Sequence, residues 1–134
     1  MSGCVLDTDV VIAALDRRDA HHDDAAEGIT RLIASGVPLL ISLINYAETL
    51  VRPAEDERTL NAAVDALAAL GIEPVAPTTA IAVDAARHRK LNISLADGFA
   101  LATAKARLAS VASFDLRVRR ALPEVGLEPS AEFD

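Results

Sequence analysis

Two carboxylates, Asp7 and Asp9, flank Thr8 in the stretch GCVLDTDVVIAAL, at the junction of two apolar runs. Three more acids stand in similar surroundings: Glu48 in INYAETLV, Asp97 in SLADGFALATA and Asp115 at the end of VASFD. Carboxylates crowded into a dry site repel one another, so they either take up protons or need a cation. A ligand set made only of oxygens favours Mg²⁺ or Mn²⁺ over zinc. His21, His22 and His88 add no zinc-type spacing. Each acid also has a plain structural role. Asn45-x-x-Glu48 and Ser94-x-x-Asp97 resemble capping boxes, Asp9 suits a helix N-cap and Asp115 suits a turn. What favours the cation is the apolar flanks in VLDTDVV and VASFD, where an uncompensated carboxylate is costly.

Elements able to bring these acids together are legible along the chain. Residues 3–7 read as a short buried strand, and the following VVIAALDRR as a helix capped by Thr8 or Asp9. A helix over 20–35 is stopped by Gly36, and a second buried strand runs over 37–42. INYAETLV reads as a helix ended by Pro53, and residues 56–70 as another closed by Gly71. A weak strand at 72–77 precedes two helices capped by Thr78 and Ser94. Residues 109–115 form a fourth strand candidate and 125–128 a weak fifth. Short apolar runs alternating with helical segments predict an α/β domain over residues 1–134: three layers around a central, mainly parallel sheet of four to five strands. Open parallel sheets bind ligands beyond the carboxyl ends of their strands. Asp7, Asp9, Glu48, Asp97 and Asp115 would then meet at one edge.

Composition narrows the function further. The 134 residues are 51% hydrophobic with only one Tyr, three Phe and no Trp, so the core is aliphatic. No apolar run is long enough to span a bilayer. The start shows no signal-peptide pattern, and the single cysteine, Cys4, reads as a buried hydrophobe; a cytoplasmic setting is expected. The net charge of −7 argues against generic nucleic-acid binding, but it is unevenly spread. Residues 1–86 carry 14 acids and 5 Lys/Arg, whereas residues 87–120 carry 8 Lys/Arg and 2 acids. That basic third keeps an anionic partner in view.

Four blocks, in order, resemble a PIN domain of the VapC type, the toxin ribonuclease of a bacterial toxin–antitoxin pair. They are VLDTDVVIAAL, ISLINYAETL, LNISLADGFALATA and VASFDLRV, and the resemblance covers nearly the whole chain. Its acids fall on Asp7, Glu48, Asp97 and Asp115, with Ser113 where the family more often has Thr and Asp9 where it often has Asn or Ser. The resemblance implies a metal-dependent endoribonuclease. Asp7 and Asp97 would be the main ligands of Mg²⁺ or Mn²⁺, and Glu48 and Asp115 would bind directly or through water. Asp9 would be an additional ligand or only orient Asp7, and Ser113 would bond the acids or the substrate phosphate. Some of the basic residues around these acids, Arg87, Arg89, Lys90, Lys105, Arg107, Arg117, Arg119 and Arg120, would then steer RNA phosphates, with Arg87, Arg89, Arg117 and Arg119 the first candidates, while the few aromatics argue against base-stacking platforms. A homodimer and a small VapB-like antitoxin are the implied partners, with no membrane.

Other readings compete. DTD after a strand resembles the nucleophile and acid pair of haloacid dehalogenase-type phosphatases, but no lysine stands in a fitting context. A PIN-like module that binds RNA or a partner without cleavage is another. A PIN nuclease of RNA processing outside any toxin pair is a third.

Overall fold

The computed structural model describes residues 2–133. Four strands, β1 (Cys4–Leu6), β2 (Leu39–Ser42), β3 (Ile72–Val75) and β4 (Ser110–Ala112), form one sheet in the order β3-β2-β1-β4, and every pairing is parallel. The chain steps outward from β1 to β3 and then returns to add β4 on the other side of β1. The order therefore reverses between β1 and β4, which is where such sheets open a crevice at their carboxyl ends.

Seven α-helices connect and cover the sheet among the described residues: α1 (Thr8–Leu15), α2 (His22–Ala34), α3 (Leu43–Leu50), α4 (Glu57–Ala69), α5 (Thr79–Arg87), α6 (Leu95–Arg107) and α7 (Leu116–Ala121). Strand alternation splits the core in two. Leu6 and Ile41 face one side and pack with Val10 and Val11 of α1, Ile29 and Leu32 of α2 and Leu67 of α4. Val5 and Leu40 face the other, against Ala100, Leu101 and Ala104 of α6 and Val118 of α7. Helices on both faces give the expected three layers. Cys4 is fully buried in the first core. No helix among the described residues is long and apolar enough to cross a membrane.

Helix ends follow the sequence in most places. Thr78 caps α5 by accepting from the Ile81 N–H at 3.2 Å. Gly36 and Gly71 follow α2 and α4 in the left-handed region, with φ +73° at both. Four local expectations are corrected. Asp7 rather than Thr8 or Asp9 is the N-cap of α1. Ser42 caps α3, accepting from Ile44 and Asn45 N–H, so Asn45 and Glu48 form no capping box. Residues 125–128 form no fifth strand; the tail makes a single bridge, Val111 to Pro129. Residues 116–121, for which the sequence predicts no element, form α7.

α5 and α6 approach closely at Gly98, where an added Cβ would lie 2.7 Å from the Ala85 carbonyl oxygen. That obstacle is backbone and has no rotamer to yield. Gly98→Ala is therefore expected to destabilise the protein by roughly 1–3 kcal/mol, the usual cost of overpacking. Urea unfolding of the variant checks this, and an unchanged midpoint would contradict it.

Candidate active site

Each acid is delivered by the end of an element. β1 hands over to α1 at Asp7, β4 runs out into Ser113, Phe114 and Asp115, and Ser94 starts α6 with Asp97 in its first turn. Asp7 is only 2% exposed. Its Oδ1 accepts from the Thr8 N–H at 2.9 Å and its Oδ2 from the Ser113 hydroxyl at 2.7 Å. Asp9 Oδ2 accepts from the Phe114 N–H at 3.1 Å, tying α1 to the loop after β4. Asp115 caps α7, accepting from the Arg117 N–H at 2.8 Å. Asp97 completes the capping box of α6, its Oδ2 accepting from Ser94 N–H at 3.2 Å while Ser94 Oγ accepts from Asp97 N–H at 3.0 Å.

The electrostatics show which acids share one field. Burial, with added repulsion from Asp9 and Asp97, pushes the Asp7 carboxyl up to about 7, although Ser113 and Thr8 pull it down. Burial pushes Asp9 up to about 6, against hydrogen bonds from Phe114 and Val10 and with repulsion from Asp115 and Asp97. Asp7, Asp9, Asp97 and Asp115 thus form one mutually repelling cluster beside the β1/β4 reversal. Glu48 reaches it by another route. It accepts from the Thr8 hydroxyl at 2.7 Å, and Thr8 Oγ1 in turn accepts from Asn45 Nδ2 at 3.0 Å.

This Asn45–Thr8–Glu48 relay is the part of the site that sequence reasoning missed. The available signal was Asn45, a polar residue three positions before Glu48 on the same helix face, and here fully buried. The arginines divide. Arg117 Nε lies 3.9 Å from Asp115 Oδ1, at the site. Arg119 donates to the carbonyls of Ser113 and Phe133, fastening the tail to the loop after β4. Arg87 pairs with Asp84 at 3.2 Å, and Arg89 donates to the Ile93 carbonyl. Scarce as aromatics are, two rings meet beside the acids: His21 stacks on Phe114 with centroids 4.5 Å apart.

A divalent cation suits this donor set. All donors are oxygens, burial raises the Asp7 carboxyl to about 7 and the Asp9 carboxyl to about 6, and Asp9 Oδ1 is buried without a partner. The cluster is not preformed, however. No group of three or more His, Cys, Asp or Glu among the described residues is disposed to hold a metal as it stands. The capping bonds of Asp97 and Asp115 each occupy one carboxylate oxygen.

Ser113 supports Asp7 in its ionised form. Ser113→Ala is expected to destabilise the protein by roughly 1–3 kcal/mol where Asp7 is charged, because a buried carboxylate loses its donor. The loss should be larger at pH 8 than at pH 5. Denaturant unfolding at the two pH values checks the difference, and equal losses would contradict it.

Residues 4–121 match the PIN domain family. No curated protein matches the chain in sequence. Several solved structures share its fold. VapC20 of Mycobacterium tuberculosis, described as a sarcin–ricin loop cleaving toxin, is 22% identical with a TM-score of 0.70, over 89% of this chain and 95% of that one. FitAcB of Neisseria gonorrhoeae is 22% identical with a TM-score of 0.68, over 96% and 97%. VapBC-1 of nontypeable Haemophilus influenzae is 15% identical with a TM-score of 0.72, over 98% of each chain. At these identities the likeness speaks for the fold alone. The family match spans most of the chain, including β1, β4 and every acid of the cluster, and the chain belongs to the PIN domain family.

Proposed function

We propose that this protein is a Mg²⁺- or Mn²⁺-dependent endoribonuclease and the toxin of a toxin–antitoxin pair acting in the cytoplasm. The observation that carries the reading is the buried Asp7 carboxyl, raised to about 7 within a cluster of three further aspartates. An oxygen-seeking divalent cation would offset such charge. Asp7 and Asp97 would hold it, with Asp9, Asp115 and Glu48 completing the shell directly or through water. A bound divalent ion supplies an activated water and neutralises the leaving oxygen of a phosphodiester. The chain's own residues do the rest. Ser113 holds Asp7 Oδ2 in place, the Phe114 N–H orients Asp9, and Thr8 with Asn45 aims Glu48.

The toxin reading draws on the VapBC and FitAB neighbours and on a surface feature. A mostly apolar cleft of about 480 Å³, lined by Ile12, Leu15, Val51 and Pro53, has Glu48 in its wall. A VapB-like antitoxin segment lying there would cover the cleft and reach the acids together. A homodimer accompanies this reading; a sharp monomer mass by light scattering would end that part of it.

The test of function is total RNA incubated with the purified, partner-free chain. Discrete fragments in Mg²⁺ or Mn²⁺, absent with EDTA, support the reading; intact RNA with folded protein and metal opposes it. One observation favours a second reading, a PIN module that binds without cutting: among the described residues no three acids are disposed to hold a metal. Intact RNA in that assay, together with measurable RNA binding, would select it.

A further inference from the structure

We propose that Lys90, Arg117 and Arg120 form a phosphate subsite that holds the RNA strand next to the bond being cut. The inference rests on the nuclease reading above and adds where the substrate lies. Lys90 comes from the 3₁₀ turn His88–Leu91, and Arg117 and Arg120 lie three residues apart on α7, facing the same side. Together they line a cleft of about 340 Å³ with Asn92 and a single acid, Glu124. Asn92 adopts the left-handed conformation, φ 61°, where the chain leaves this turn.

Arg117 links the cleft to the acid cluster: it lines the cleft while its Nε sits 3.9 Å from Asp115 Oδ1. The segment after β4 distributes its side chains in order: Phe114 lines a separate cleft beside His21, Asp115 joins the acids, and Arg117 turns into the basic cleft. Several exposed cations elsewhere are matched locally, although Arg17, Arg52, Arg58 and Arg107 form no ion pair among the described residues. Arg87 and Lys105 share Asp84, and Arg31 faces Glu27. Lys90 and Arg120 form no ion pair among the described residues. Three cations against one acid, in a chain of net charge −7, are a local reversal of field beside an acidic pocket. A ligand using both regions must carry repeated negative charge along an extended chain, which is the chemistry of a phosphodiester strand. One phosphate would sit at the acids and its neighbours in the cleft.

The test measures binding of a short, labelled single-stranded oligoribonucleotide by anisotropy in Mg²⁺, across salt concentrations. An Asp97→Asn background stops cleavage. Adding Lys90→Ala and Arg120→Ala together is expected to lower the slope of log K against log salt by about 1.4, since each phosphate contact on a single strand contributes about 0.7. Affinity at low salt should fall at least tenfold. Arg58→Ala, an exposed cation on α4 that lines none of these clefts, should leave slope and affinity unchanged. An unchanged slope in the double variant, an equal loss in Arg58→Ala, or no RNA binding by the parent at low salt would overturn the subsite. Fragmentation of RNA by the unmodified chain is scored separately, so the subsite can fail while the nuclease reading stands.

Discussion

Asp7→Asn is expected to make the metal-free protein more stable at neutral pH. Asp7 is buried, and burial with the neighbouring acids lifts its carboxyl from the ordinary 3.8 to about 7. A carboxyl raised on folding favours the folded state fully only below its unfolded value. That contribution is lost as pH rises from about 4 to about 7, because the unfolded chain releases the proton first. At about 1.4 kcal/mol for each tenfold change in proton affinity, the full loss is roughly 4 kcal/mol. The asparagine keeps the shape, still accepts from the Thr8 N–H and carries no charge to desolvate. The two proteins should therefore match near pH 4 and diverge up to pH 7, where the variant should melt on the order of 10 °C higher. Thermal melts in EDTA between pH 4 and 8 read this directly. A variant that is less stable at pH 7.5, or a difference independent of pH, would show that Asp7 is comfortably ionised and needs no cation.

The second large effect concerns the metal itself. Ligand carboxyls must be deprotonated, so binding displaces whatever protons they hold. With Asp7 raised to about 7 and Asp9 to about 6, apparent affinity for Mg²⁺ or Mn²⁺ should be flat above about pH 7. It should fall roughly tenfold per pH unit between 6 and 7, and up to about 100-fold per unit below 6, as two protons compete. Titration calorimetry in buffers of different ionisation heat counts the released protons. Proton release near zero at pH 6, with undiminished affinity, would place the metal away from these two acids.

Much of this site is legible in the sequence because its parts sit at element ends. A buried strand followed at once by Asp7, and another by Ser113 and Asp115, place those residues at carboxyl ends before any coordinates are seen. Ser94 and Asp97 carry their capping box in plain view, and the structure forms it. What the sequence hid depends on distances across the fold. Asn45-x-x-Glu48 has the spacing of a cap, but β2 passes into α3 with no loop, so the cap falls on Ser42. Asn45 and Glu48 are then free to meet Thr8, which is 40 residues from Glu48 in sequence. α7 escaped because LRVRRA is too short to show a helical period, although Asp115 caps it. The tail reads as a weak strand from its apolar residues. Tertiary contact decides otherwise: Phe133 packs against Gly28 of α2 and is held by Arg119, so close that a Cβ at Gly28 would meet its ring. Charge alone likewise does not separate Lys90 and Arg120, which share a cleft with Arg117, from Arg87, which is paired on its own helix.

The central claim is that the aspartate cluster cuts RNA through a divalent ion. The most direct measurement compares RNA cleavage rates of the parent chain and Asp97→Asn in saturating Mn²⁺, both freed of any partner and shown folded. The account predicts metal-dependent cleavage by the parent and a loss on the order of 100-fold or more in the variant, since the ion would lose a direct ligand. Equal cleavage by the two proteins, or parental cleavage that persists in EDTA, would contradict it.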